Sequence, residues 1–208
     1  ASWNAPNALP NNTHDLSWHI EDIHSYYQFA TPSLYTLQRF EPSDLAPYHD
    51  KKITSISFIP SKTDALTSCK IVIFQGGTFT STNKNSGTLV AEQVVPVSSL
   101  VTRTWNTITL NTPIILDASQ ELWFGVYMTY SNDTICSPSL GTPATTNKST
   151  IYGTGTYWIS NNSYSFAIKA SVEDNNPIFD HYQIDRNGSV LVSNTVSTSY
   201  VDNVGING

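Results

Sequence analysis

The stretch "HIEDIH" places His19, Glu21, Asp22 and His24 within six residues, side-chain types that hold zinc and related cations when one geometry gathers them. On a β-strand, where side chains alternate between faces, His19 and His24 point to opposite sides, and no H-E-x-x-H helix is present. The stretch therefore reads as polar side chains solvated at the surface, and no metal ligand is assigned. Nucleophilic catalysis needs a Ser or Cys held beside an oriented base. Serines abound beside five His, so their coexistence carries no information, and no G-x-S-x-G elbow occurs. Glu41, Asp44, Glu92, Asp117, Glu121 and Glu173 mostly flank turns, which reads as solvated strand ends and not as a glycosidase acid and nucleophile. No catalytic residue emerges, and the expectation is a protein that is not an enzyme.

Aromatic residues form the more informative class. Sugars present apolar faces that stack on Trp and Tyr while their hydroxyls reach Asn, Asp or Ser. "IYGTGTYWISNNSYS" gathers Tyr152, Tyr157, Trp158 and Tyr164 among Gly, Asn and Ser, with Asn161 beside them, in what the pattern predicts to be a hairpin. Trp158, Tyr157, Tyr152, Tyr164 and Asn161 are the ligand-binding candidates, although Trp158 reads first as a core or edge-covering residue. Trp105 and Trp123 sit in strand contexts and read as packing residues; Trp18 fits either role. Cys69 and Cys136 match no zinc or redox spacing and leave two alternatives open, one bridge in an oxidising compartment or two separately buried thiols. No cofactor is implied. A structural calcium ion in a loop stays open, without a ligand set that the sequence names.

The elements that must carry these residues read as strands. Between 164 and 172, Tyr164, Phe166, Ile168, Ala170 and Val172 share one parity while Ser165, Lys169 and Ser171 share the other, a half-buried strand. In "ELWFGVYMTY", Leu122, Phe124, Val126, Met128 and Tyr130 point one way and Trp123, Tyr127 and Thr129 the other, so this strand is apolar on both faces and expected to be central. "CKIVIFQGG" at 69–77 is similar, its Gly pair marking a turn. Further strands are expected from "KITSISFIP", "GTLVAEQVV", "WNTITL" and "STIYG", punctuated by Pro60, Pro96 and Pro113, because proline cannot sit inside a central ladder. The sole helical candidate is a turn in "EPSDLAPY", capped by Ser43 and stopped by Pro47. Residues 139–150 read as a long exposed loop. Strands recurring at short intervals between turns indicate an all-β sandwich or barrel.

Composition agrees. The 208 residues are 39% hydrophobic and 12% aromatic, with five Trp and eleven Tyr, enough for a packed core. Charged residues are only 12%, about half the usual share, with Ser, Thr and Asn in their place, a secreted composition. A net charge of −6 with ten scattered Lys and Arg leaves no basic stripe for nucleic acid or anionic lipid. No apolar run approaches the length needed to span a bilayer, so membrane insertion is not expected, and "ASWNAPNALP" lacks the regions of a signal peptide. The expected location is extracellular or on the cell surface, with any export signal absent from this sequence.

Near the C-terminus, "HYQIDRNG" turns at Asn187-Gly188, a strong hairpin signal, and "SVLVSNTVSTSYVD" returns. "SWNAP" (2–6) reads as the close of a strand. Trp3, Ala5, Pro6, Tyr182, Ile184, Arg186, Asn187, Gly188, Thr198, Ser199, Tyr200 and Asp202 together resemble a fibronectin type III module of bacterial secreted proteins, split by the residues between. The intervening body, with "RFEPSDLAPYHDKKITSISFIPSK", "CKIVIFQGG", "GTLVAEQ", "WNTITLNTPIILDASQELWFGVYM" and "SFAIKASVE", is similar to jelly-roll domains of Bacteroidetes-type secreted and surface proteins, related to hemagglutinin/gingipain adhesins. The resemblance implies a jelly-roll β-sandwich over 9–174, the end of a fibronectin-like strand at 1–8, and partial fibronectin type III-like strands at 175–208. Inserting a compact domain at a loop tip of a second module would produce such an order, and so would a domain standing between two such modules. It further implies cell adhesion, with a host glycan or extracellular protein as partner alongside adjacent domains of a longer chain, or else a carbohydrate-binding accessory module of a secreted protease or glycosidase.

Overall fold

The computed structural model describes residues 13–132, 134–142, 145–175, 182–186 and 189–195. The chain divides into two compact units, Thr13–Asn175 and a second made of Ala1–Asn12 with Asn176–Gly208. The larger unit opens with β1 (Thr13–Leu16), β2 (Ile20–Ser25), β3 (Gln28–Phe29) and β4 (Ser33–Phe40), then a short helix α1 (Pro42–Leu45) leading into β5 (Lys52–Phe58). There follow β6 (Leu66–Phe79), β7 (Lys84–Val95), β8 (Asn106–Ile115), β9 (Leu122–Tyr130), β10 (Ile135–Cys136) and β11 (Leu140–Thr142). The last strands are β12 (Ile151–Gly153), β13 (Trp158–Ser160), β14 (Ser165–Phe166) and β15 (Ile168–Glu173).

Antiparallel pairing joins these into a four-stranded sheet, β1-β15-β5-β8, and a six-stranded sheet, β13-β12-β4-β9-β6-β7, with two small sheets, β14-β11-β2 and β10-β3. The alternation in the sequence explains how they pack. Ile168, Ala170 and Val172 of β15 and Ile53, Ile56 and Phe58 of β5 are buried together with Ile71 and Ile73 of β6 and Leu122, Phe124, Val126 and Met128 of β9 in one core. Two sheets with apolar inner faces form a sandwich. The protein is all-β, as its periodicity requires.

Strand β9 lies between β4 and β6, and both of its faces are apolar, as expected. Its opposite parity supplies Trp123 to a second core with Leu37, Val72, Phe74, Phe79, Ile151 and Trp158, against which Tyr35 and Tyr127 pack. The six-stranded sheet is therefore covered on its outer side as well.

Three local expectations need correction. Gly76 and Gly77 do not turn the chain: β6 continues to Phe79, and the turn comes at Thr80–Asn83, where Thr80 N donates to Asn83 O at 2.7 Å. Gly76 instead faces Gly87 across the ladder, both at positive φ (80° and 83°), and a Cβ on Gly87 would lie 2.2 Å from Gln75 O. The pair permits a local backbone distortion inside a long hairpin. Ser43 does not cap α1; the Glu41 backbone N–H is bound by Asp44 Oδ2 at 2.8 Å, and Pro47 lies within the following three-ten turn, Ala46–Tyr48. Residues 139–150 are no exposed loop among those described, since Ser139, Leu140, Ser149 and Thr150 are buried. Their hydroxyls bond internally, Ser149 Oγ to Thr145 O and Tyr164 O, both at 3.1 Å, so short polar side chains stand in for apolar ones under the sheet.

Pro113 lies inside β8, an edge strand. Thr109 pairs with Ser55 and Ile114 with Ile53, so the run holding Pro113 bulges past Thr54 and has no ladder bond to donate. In the smaller unit, β16 (Tyr182–Arg186) pairs antiparallel with β17 (Ser189–Thr195), Arg186 opposite Ser189, the register of the two-residue connection that Asn-Gly predicts. Trp3, Ala5, Pro6, Asn187, Gly188, Thr198, Ser199, Tyr200 and Asp202 lie outside the described residues.

Candidate functional site

β12 and β13 form the expected hairpin, with Ile151 opposite Ser160 and Gly153 opposite Trp158. Alternation between Tyr157 and Trp158, at the start of β13, decides where these aromatics go. Trp158 is 1% exposed and meets Trp123 edge to face with ring centroids 5.4 Å apart, while Tyr157 is 64% exposed. Trp158 is thus corrected from a candidate ligand platform to a core residue, since a sugar cannot reach a ring already enclosed by Trp123, Tyr35 and Phe74.

The other candidates converge. Phe29 packs on Tyr152 with centroids 4.7 Å apart; Tyr27 meets Phe29 at 6.0 Å and Tyr164 at 6.3 Å, both edge-on. Tyr152, Tyr164, Tyr27 and Phe29 are each half-buried, lying against the main core. Burial raises the Tyr27 hydroxyl above its ordinary value, helped by the neighbouring Tyr164 and Tyr152, while a side-chain hydrogen bond with Asn161 pulls the other way. Tyr152 is likewise raised, by burial first and by Tyr157 second. The ring contacts tie Tyr152, Phe29, Tyr27 and Tyr164 into one cluster, with Asn161 acting on Tyr27 and Tyr157 on Tyr152.

Tyr27 and Phe29 escaped the sequence reading, although "SYYQF" carried the signal, aromatics two apart leading into the short strand β3.

The surrounding loops are held in place. Asn161 N donates to Thr150 O at 3.1 Å, and Asn161 Oδ1 accepts from Ser163 N at 2.8 Å. Ser160 Oγ donates to Asn147 Oδ1 at 2.7 Å, and Asn147 N donates to Asn162 Oδ1 at 2.9 Å, locking the 145–148 turn onto the hairpin. Rings fixed by packing beside fixed amide and hydroxyl groups can stack on a sugar face and bond its hydroxyls with little ordering on binding.

The residues weighed for catalysis are committed elsewhere. Arg39, with a side chain only 4% exposed, is bound by both Glu121 oxygens and by Glu41 Oε1 at 3.0 Å, and Trp123 Nε1 donates to Glu121 Oε2 at 2.8 Å. Lys148 bridges Glu41 and Asp44 at 2.9 and 2.7 Å. Glu41, Asp44 and Glu121 are therefore partners in a part-buried ion network and not solvated strand ends. His19 Nδ1 lies 3.3 Å from Ser165 Oγ, but Ser165 has no solvent exposure and bonds Gly141 O, so this pair braces β14 and offers no nucleophile. Among the described residues no three His, Cys, Asp or Glu gather as metal ligands, and the side chains of Glu21, Asp22 and His24 lie outside those described. Cys69 and Cys136 are two free, buried thiols. Trp18 resolves as a packing residue, stacked on Phe40 at 4.9 Å, its Nε1 donating to Arg39 O. Trp105 is half-buried just before β8, under Lys169 Nζ at 5.0 Å.

No protein-family model matches the chain, and no curated protein does. No helix among the described residues is long and apolar enough to cross a membrane.

Proposed function

We propose that the chain is a non-catalytic, extracellular adhesion domain of a bacterial surface or secreted protein, and that it captures a host glycan through Tyr157, Tyr152, Tyr27, Phe29 and Tyr164. One observation carries this reading: aromatic rings from two distant parts of the chain converge beside Asn161 on loops pinned by side-chain hydrogen bonds. Such a surface recognises by stacking and supplies no proton-transfer pair. The sandwich is read as a jelly roll inserted into a fibronectin type III-like module, which is in keeping with the division into Thr13–Asn175 and a discontinuous second unit. A carbohydrate-binding accessory module of a larger secreted protease or glycosidase would use the same surface.

A glycan array probed with the whole chain tests the reading. The expected result is a reproducible hit that weakens about tenfold or more with Tyr157→Ala, the loss of one well-placed aromatic contact of about 1.5 kcal/mol, at an unchanged melting temperature. Silence on every neutral and charged glycan, with retention on a host-protein matrix, would leave adhesion through protein contacts. Silence on both would end the adhesion reading.

A further inference from the structure

Tyr26, next to Tyr27 in the chain, lines a pocket of ≈ 370 Å³ together with Ile23, Ser25, Ser61, Arg103 and Ser139. Arg103 adopts φ 58°, the left-handed region that residues other than Gly, Asn and Asp rarely enter. The surrounding backbone enforces it. Arg103 N donates to Pro60 O at 2.8 Å; Asn106 Oδ1 accepts from Val101 N at 2.8 Å, and Asn106 Nδ2 donates to Val101 O and Thr104 O at 2.8 and 2.7 Å. Strain maintained by so many bonds is characteristic of ligand clamps. Here it fixes the backbone at Arg103, one of the residues that line the pocket. Among the described residues Arg103 has no carboxylate partner, whereas Arg39 is held by Glu41 and Glu121. A second cation stands close: Lys62 Nζ is 5.1 Å from the centroid of the Tyr26 ring, with Asp64 the nearby carboxylate.

We propose that this pocket binds the oxyanion of an acidic saccharide, a carboxylate or a sulfate ester. The Arg103 fork matches such an oxyanion with two parallel donors, Lys62 adds charge beside Tyr26, and Ile23 and Tyr26, which line the pocket, offer an apolar edge to the sugar's C–H face. That the anion is carried by a sugar rests on the glycan reading above; the oxyanion specificity rests on the pocket alone.

The test is NMR titration of the whole chain with sodium glucuronate, galactose 6-sulfate and neutral methyl glucoside, using wild type, Arg103→Gly and Arg103→Asn. Both substitutions remove the guanidinium while tolerating left-handed backbone, so their melting temperatures are expected at or above that of the wild type. Binding of one or both acidic sugars at the Ser61, Arg103 and Ser139 amides, weakened tenfold or more in both variants, supports the proposal, and the sugar that binds identifies the oxyanion. No acidic sugar binding, or equal binding by the variants, overturns it. Methyl glucoside separates the two readings: shifts at Tyr152 and Asn161 without any acidic-sugar response leave the aromatic surface standing and this pocket refuted, and an acidic-sugar response at Ser61, Arg103 and Ser139 without shifts at Tyr152 and Asn161 supports this pocket independently of the aromatic surface.

Discussion

Trp123 and Trp158 meet edge to face on the outer side of the six-stranded sheet, ring centroids 5.4 Å apart and planes at 77°. One comes from the central strand β9 and the other from the edge strand β13, so the contact fastens the aromatic hairpin to the sheet. Gly153 makes room for it: a Cβ there would lie 1.9 Å from Tyr157 O and 2.9 Å from the Trp158 ring. The exposed Tyr157 is displayed where it is because the next residue is anchored.

Trp158→Ala is therefore a stability variant. Removing a fully enclosed indole is expected to destabilise the unit by about 3–5 kcal/mol, lowering its melting temperature by about 10 °C. Differential scanning calorimetry checks this; a drop under about 2 °C would mean that the ring is not enclosed.

The Arg39–Glu121 pair gives a second prediction. Burial disfavours the charged Arg39, but hydrogen bonds and charge from Glu121 and Glu41 outweigh it and raise its pKa. Arg39→Met leaves the Glu121 carboxylate, 13% exposed, without its main partner, a loss of about 3 kcal/mol. Arg39→Met/Glu121→Gln is expected to recover about 1 kcal/mol of that or more, since the neutral amide oxygen still accepts from Trp123 Nε1. Urea denaturation of both variants decides; a double variant weaker than the single one contradicts the account.

Acid should loosen the same network through Glu41. The hydrogen bond from Lys148, and then the charge of Arg39, lower its pKa below the ordinary 4.5 despite some burial. The folded state thus binds the proton less readily than the unfolded state. The stabilisation is fully present above about pH 4.5 and is lost as pH falls through the depressed folded value. The melting-temperature gap between wild type and Glu41→Gln is expected to be constant from pH 6 to 8 and to close below about pH 4.5. A gap that persists at pH 2 would assign the effect to packing.

Much of this architecture was legible because it obeys period two. The two apolar faces of "ELWFGVYMTY" predicted a central strand, and β9 is that strand, with a core on each side. "KITSISF" was less transparent, since its buried residues Ile53, Ile56 and Phe58 break the alternation. The bulge at Thr54, read from the register against β15 and β8, restores it. Bulges and internally satisfied hydroxyls, as at Ser149 and Thr150, depend on partners far along the chain, so local pattern does not reveal them. The site divides in the same way: the hairpin aromatics were visible as a cluster and Trp158 as its core member, but the recruitment of Tyr27 and Phe29 depends on contacts between distant segments.

The cysteines supply the last prediction. Cys69 sits on β6 facing the main core, and burial pushes its thiol up to about 12. At pH 8 it has almost no thiolate, the only form that attacks a disulfide reagent. Cys136 is also buried, and its carbonyl accepts from the Tyr130 hydroxyl at 3.3 Å. Folded protein is thus expected to react with Ellman's reagent no faster than it unfolds, whereas protein in guanidinium releases two equivalents, one from each free Cys. Two rapid equivalents from native protein would show that the sheets open at this end. None in guanidinium would show that the pair is oxidised, which restores the bridge that the sequence left as the alternative.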